Sequence, residues 1–179
     1  VHGVQTDDGR IVRVGAFPIS IDVEEIAEIA ARPESTARAR EIRACLGDPE
    51  AVFLGVDRLD YTKGIDARLA GFASILEATK PFATPGAPPK FVFVQIAVPG
   101  REGLDDYVEE RRRVEQLVGS INGDHAILGF PAVHYLRTSL PLDELVPLYM
   151  AADVMLVTPL RDGMNLVAKE FVAARAGRA

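Results

Sequence analysis

The stretch AVFLGVDRLDYTKGIDARLAGFASILEA, Ala51 to Ala78, decides the fold. Its first seven residues, AVFLGVD, form a short apolar run with turn signals at both ends, the pattern of a buried strand. A polar loop, DRLDYTKG, follows. Then DARLAGFASILEA (66–78) has helical spacing. The unit is strand, loop, helix.

The same unit recurs downstream. KFVFVQIA (90–97) is a second buried strand, after which Leu104, Tyr107, Val108, Val114, Leu117 and Val118 repeat at helical period. VHYLRTS (133–139) is a weaker strand, and LDELVPLYMAA (142–152) a helix with an internal proline. DVMLVTP (153–159) is the last strand and MNLVAKEFVAARA (164–176) the last helix. Upstream, GRIVRVGAFPIS (9–20) alternates as an extended leading strand. DVEEIAEIAAR (22–32) opens with Asp22 as N-cap and Glu25 three positions on, a capping box. The Ala/Arg-rich stretch from Glu34 to Leu46 reads as another helix. Alternation of helices with strands apolar on both faces predicts an α/β fold, a Rossmann-like parallel sheet with helices on both faces. KPFATPGAPPK (80–90) reads as a surface loop.

At 179 residues, with 48% apolar and 26% charged residues, the chain can build one domain with a sizeable core. A net charge of −6 argues against nucleic acid as the partner, because a phosphate-tracking surface usually carries a basic total. No apolar run is long enough for a membrane span, so no membrane partner is expected and a cytoplasmic location is. Cys45 is the single cysteine, which excludes disulfides within the chain and cysteine-based metal clusters. His2, His125 and His134 have no metal-ligand spacing, and no metal is expected. Neither a Walker loop nor a Rossmann glycine fingerprint occurs, which counts against a nicotinamide enzyme. The chain opens on Val1 and stops at Ala179 about one turn past a helical run, so it reads as part of a longer protein.

In parallel sheets ligands bind beyond the carboxyl ends of the strands. Three loops belong to that edge. In DRLDYTKG, Arg58 and Lys63 could clamp a diphosphate, or be solvated, or pair with Asp57 and Asp60. In VPGREG, Arg101 precedes a helix, where the helix dipole opposes a cation unless an anion joins it; a plain surface arginine is the alternative. In TPLRDGMN, Gly163 permits close backbone approach, and the amides of Met164, Asn165 and Leu166 would point from a helix N-terminus towards phosphate. Asp162 is either an N-cap or an acceptor for sugar hydroxyls. Glu170, at the edge of the buried helix face, could hold a ribose diol with both oxygens; an ion pair with Lys169 is the alternative.

VGAFPISID (14–22), GVDRLDYTKGI (55–65), VQIAVPGR (94–101) and DVMLVTPLRDGMNLVAKEFVAAR (153–175) together resemble the C-terminal half of the trehalose-6-phosphate synthase family, the retaining glycosyltransferases of family 20. The resemblance runs in matching order over nearly the whole chain. It implies one incomplete domain of a two-domain GT-B enzyme. Residues 1–22 would be a crossover segment and 23–179 the nucleotide-sugar-binding domain, with the acceptor domain absent and the chain alone inactive. It further implies glucose transfer from UDP-glucose to glucose 6-phosphate without a metal or other cofactor, and leaves homo-oligomerisation open.

Residue by residue, the resemblance gives Arg58 and Lys63 the donor diphosphate, Arg101 the acceptor's phosphate and Asp162 the transferred glucose. Gly163, Met164 and Asn165 would surround the donor. Leu166, Val167, Ala168, Lys169 and Glu170 would form the nucleotide contact, with Glu170 on the ribose. Leu140 falls at a backbone contact to the uracil edge. Arg58, Lys63 and Asp162 are the residues it implies for catalysis. Alternatives are a glucosylglycerol-phosphate synthase, a pseudo-glycosyltransferase of the same family, or a non-catalytic nucleotide-sugar-binding domain.

Overall fold

The computed structural model describes residues 2–80, 86–100 and 105–176. Four parallel strands form its main sheet: β3 (Ala51–Arg58), β4 (Phe91–Val98), β5 (Val133–Leu136) and β6 (Val154–Met155), in the order β5-β4-β3-β6. The helices are α1 (Val23–Ala31), α2 (Pro33–Cys45), α3 (Ile65–Thr79), α4 (Asp105–His125), α5 (Leu142–Ala151) and α6 (Leu166–Arg175). Asp22 caps α1 by accepting from the Glu25 amide at 3.0 Å, and Pro33 starts α2 where a missing amide costs nothing.

Strand period 2 sorts the core into two layers. Val52, Leu54 and Val56 of β3, with Val92, Val94 and Ile96 of β4, face α1, α2, α5 and α6. Phe53 and Phe93 face the opposite way, onto Leu69, Phe72 and Leu76 of α3 and Val114 of α4. Each such side chain, fully buried, stabilises the fold by about 1.5–3 kcal/mol. Phe72 packs its ring 5.4 Å from that of Phe93. In the same layer as Phe53 and Phe93 stand Gly55, Asp57 and Gln95, and Gly55 is registered directly beside Gln95.

Strand order places the site. The chain builds β3, β4 and β5 outward in one direction, then returns through α5 to lay β6 on the other side of β3. The direction of winding therefore reverses between β3 and β6, and the crevice at such a switch point is where open α/β sheets bind ligands.

Three expected strands shorten, and the one expected over 133–139 ends at Leu136. The leading strand expected over 9–20 is confined to β2 (Ile11–Val14), which pairs antiparallel with β1 (His2–Gln5) as a separate hairpin. Its turn closes through Gly9, at φ 83°, and the Thr6 amide donates to Arg10 O at 2.9 Å. Pro18 cannot donate to a ladder, and residues 15–22 run without regular structure. The last strand, expected to Pro159, pairs only as Val154–Met155, with Leu156 still donating to Leu54 O at 2.8 Å. Beyond it the chain leaves the sheet to cross over Gly64. Part of the 80–90 loop, residues 81–85, lies outside the described residues.

Candidate functional site

The loop after β3 is shaped by Asp60. Its Oδ1 accepts from the Thr62 amide at 2.9 Å and the Thr62 hydroxyl at 2.8 Å, while Oδ2 accepts from the Tyr107 hydroxyl at 3.2 Å. These bonds fold Tyr61–Lys63 into a single 3-10 turn. Burial pushes the Asp60 carboxyl up, but the Thr62 and Tyr107 donors and the Arg58 charge outweigh it and hold the group below its ordinary value. Gly64 ends the turn at φ 61°, a left-handed conformation. A Cβ there would meet Thr158 O at 2.7 Å, so glycine is required twice over.

The loop after β6 is bound to this turn. Thr62 O accepts from the amides of Leu160 at 2.8 Å and Arg161 at 3.3 Å. Lys63 Nζ then reaches Asp162 Oδ2 at 2.8 Å, and their side chains are only 13% and 20% exposed. The two residues are 99 positions apart in the chain. The bond from Lys63 is the main cause holding the Asp162 carboxyl below its ordinary value, and the Asn165 and Gly163 donors add to it.

Neither ion pair considered for this loop forms. Asp57 is taken by Arg68 and Asp60 by Thr62 and Tyr107. Among the described residues no carboxylate lies within ion-pair distance of the exposed Arg58. Asp162 is likewise not the cap of α6. Asn165 is: its Oδ1 accepts from the Ala168 amide at 2.9 Å. The helix therefore starts at Leu166, not at Met164, and the amides of Met164 and Asn165 belong to the turn before it. Leu166 and Val167 supply the open first-turn donors. Among the described residues a Cβ on Gly163 would meet nothing within 4 Å, so their packing does not demand this glycine.

Glu170 sits half-buried one turn deeper. The hydroxyl of Tyr149, a fully buried α5 side chain, donates to its Oε2 at 2.7 Å. Burial first, and then this bond to a carboxylate, push the Tyr149 phenol far up. Tyr149 thus takes one acceptor position of Oε2, and each Glu170 oxygen keeps room to accept from a ligand hydroxyl. Lys169 does not pair with Glu170; it is exposed, and its Nζ lies 3.4 Å from Met164 Sδ. Val167 and Phe171 pack on the core, with Phe171 edge-on to Tyr149 at 6.2 Å. Leu140, half-buried, borders an apolar cavity of about 240 Å³ with Ile42, Ile96, Leu136 and Leu148. Arg101 lies outside the described residues.

Sequence reasoning missed a buried polar cluster beneath these loops. Arg68, 4% exposed, places Nη1 2.5 Å from Asp57 Oδ2 and 3.0 Å from Gln95 Oε1; its Nε donates to Thr158 Oγ1 at 3.1 Å. The signal was present: a charged residue shares the apolar helix face with Leu69 and Phe72. A glycine also interrupts β3 opposite a glutamine.

With this geometry in hand, comparisons with known proteins agree on one family. The glycosyltransferase family 20 model matches residues 2–179. The trehalose-6-phosphate synthase of Mycobacterium avium (strain 104) is 53% identical over 168 residues, 94% of this chain and 33% of that protein. Among solved structures, the UDP-forming alpha,alpha-trehalose-phosphate synthase of Burkholderia xenovorans, in complex with glucose-6-phosphate, matches with TM-score 0.81 and 38% identity. That match covers 93% of this chain and 35% of the other. An E. coli structure bound with UDP-2-fluoro glucose matches with TM-score 0.79 and 34% identity, over 97% of this chain and 38% of that one. The chain thus spans about a third of the length of the relatives it matches.

Proposed function

The chain belongs to glycosyltransferase family 20, and from that premise we propose that it is the donor-binding part of a retaining glucosyltransferase. The reaction is transfer of glucose from UDP-glucose to glucose 6-phosphate, giving α,α-trehalose 6-phosphate and UDP. One observation carries the reading. A lysine and an aspartate from loops 99 residues apart meet at 2.8 Å in the crevice where the sheet's winding reverses.

Each residue has a task that its chemistry suits. Arg58 and Lys63 take the diphosphate; the arginine as a planar fork, the lysine as a point charge. The Leu166 and Val167 amides add the positive end of α6. Gly163, followed by Met164 and Asn165, leaves open space for the sugar, and Asp162 accepts from the glucose hydroxyls. Glu170 takes the ribose hydroxyls, while the Tyr149 hydroxyl fixes the orientation of its carboxylate. Leu166 to Glu170 line the nucleotide, and the backbone at Leu140 meets the base. Arg101 is assigned the acceptor's phosphate.

As the bond from glucose to the diphosphate breaks, negative charge grows on the leaving oxygen and positive charge on the sugar ring. Arg58, Lys63 and the helix start stabilise the former, so catalysis is electrostatic. No side-chain nucleophile is assigned; departure and attack share one face of the sugar, which retains configuration. Charge neutralisation is assigned to these cations and amides without a metal or other cofactor. Among the described residues no helix is long and apolar enough to cross a membrane, which fits work in the cytoplasm.

Calorimetric titration of the chain with UDP and UDP-glucose tests the reading. Saturable binding in the micromolar to low millimolar range is expected, without glucose transfer to glucose 6-phosphate by these 179 residues alone. Absence of binding at millimolar nucleotide overturns it.

A further inference from the structure

Beneath the donor loops lies a charged group whose bonds reach both of the loops that carry Lys63 and Asp162. Arg68 is buried on α3, facing the sheet. One nitrogen of its guanidinium bonds Asp57 at the end of β3 and Gln95 of β4, at 2.5 and 3.0 Å. Another bonds the Thr158 hydroxyl at 3.1 Å, in the loop after β6. The third points towards Lys63 O at 3.5 Å, in the loop after β3.

We infer that Arg68 is a positioning residue that sets the register between the two loops, and through it the placement of Lys63 against Asp162. The inference rests on the donor reading above and extends it to a residue that reading does not use.

Three features support it. First, the sequence makes room for this group: a Cβ on Gly55 would sit 2.3 Å from Gln95 Oε1 and 2.5 Å from Arg68 Nη1. Glycine in mid-strand weakens β3, and the guanidinium explains why it is there. Second, the loops approach so closely that only a glycine fits at position 64, over Thr158 O. Thr158 is thus both the residue Arg68 holds and the one against which the Lys63 turn rests. Third, the next bonds along the same path, Leu160 N and Arg161 N to Thr62 O, lead directly to the Lys63–Asp162 pair. An arginine is suited to this task because its fork reaches several acceptors in fixed directions, whereas a lysine could satisfy Asp57 but not span to Thr158.

The test uses the whole chain. Arg68→Lys leaves buried acceptors unserved and risks the fold, so Thr158→Val, with Thr158→Ser as the conservative rescue, is the decisive pair. Amide hydrogen exchange at Leu160 reads loop register directly, with Leu54 and Ile96 as core controls. Thr158→Val should speed Leu160 exchange about tenfold, the worth of one hydrogen bond to a charged group, and leave the core amides unchanged. It should weaken UDP about tenfold while uridine, which lacks the phosphates, binds as to the wild type. Thr158→Ser should restore both. Unchanged Leu160 exchange, or an equal loss for uridine and UDP, overturns the inference. Should the wild-type chain bind no UDP, the donor reading fails, and exchange at Leu160 alone decides the register.

Discussion

Substituting Gly55 by alanine probes whether the buried Arg68 cluster is as tightly packed as its distances say. The new Cβ would stand 2.3 Å from Gln95 Oε1 and 2.5 Å from Arg68 Nη1. The nearer falls short of an ordinary contact by about 1 Å. Neither neighbour can swing away freely: Gln95 is fully buried and also donates to Ile96 O at 3.0 Å, and Arg68 is held by Asp57. Overpacking alone costs about 1–3 kcal/mol. Driving the guanidinium off Asp57, whose side chain is 3% exposed, would leave a buried unpaired carboxylate, at about 3–5 kcal/mol. A loss of about 3 kcal/mol is therefore expected, between partial and complete displacement. Gly71→Ala is the control. It lies on the exposed side of α3, a Cβ there meets nothing within 4 Å, and the change should stabilise by about 0.5–1 kcal/mol. Urea unfolding of both variants, followed by circular dichroism, measures the contrast. Gly55→Ala within about 0.5 kcal/mol of the wild type would refute the packing claimed around Arg68.

Two further outcomes are expected. Glu110 on α4 is 8% exposed, and among the described residues its Oε1 has no hydrogen-bond partner; burial first, then the nearby Asp66, push its carboxyl above the ordinary 4.5. A raised folded-state value means its stabilising contribution is complete below that pH and is lost as pH rises through the shifted value. Glu110→Gln should therefore stabilise by about 1 kcal/mol at pH 7 and by nothing at pH 4, read from melting temperatures at the two pH values; a gain at both would be the wrong sign of linkage. Asp162→Asn removes the partner that occupies Lys63 in the ligand-free chain. UDP should then bind as tightly as before or more tightly, while UDP-glucose loses about tenfold relative to UDP. Equal loss for both ligands in calorimetry would mean Asp162 does not meet the sugar.

Much of the architecture was legible because burial leaves a periodic trace. The strands at 51–57 and 90–97 and the helices at 22–32, 66–78 and 142–152 lie within a residue or two of β3, β4, α1, α3 and α5. The miss at α6 was a competition between caps. Asp162 and Asn165 are both good N-caps, and Asn165 prevails because Asp162 is drawn away by Lys63. The leading strand was overextended because alternation says which residues would suit a ladder, not whether a partner is present. The bond from Tyr149 to Glu170 leaves no trace in local spacing, since Tyr149 lies 21 residues away on another helix.

The sequence by itself determined the layers, the strands that carry loops to the functional edge, and the motifs that mark the family. Those follow from local chemistry: side-chain period, turn residues and charge at strand ends. Only the tertiary structure decided that β6 lies beside β3, and so that Lys63 and Asp162 meet and Arg68 links their loops. The physical reason is that an apolar strand records that both its faces are buried, but not which strand lies along its edge. Backbone hydrogen bonds join any strand to any other without reference to side-chain identity. Neighbourhood was left to the packing of helices across the sheet, and in that neighbourhood the site is assembled.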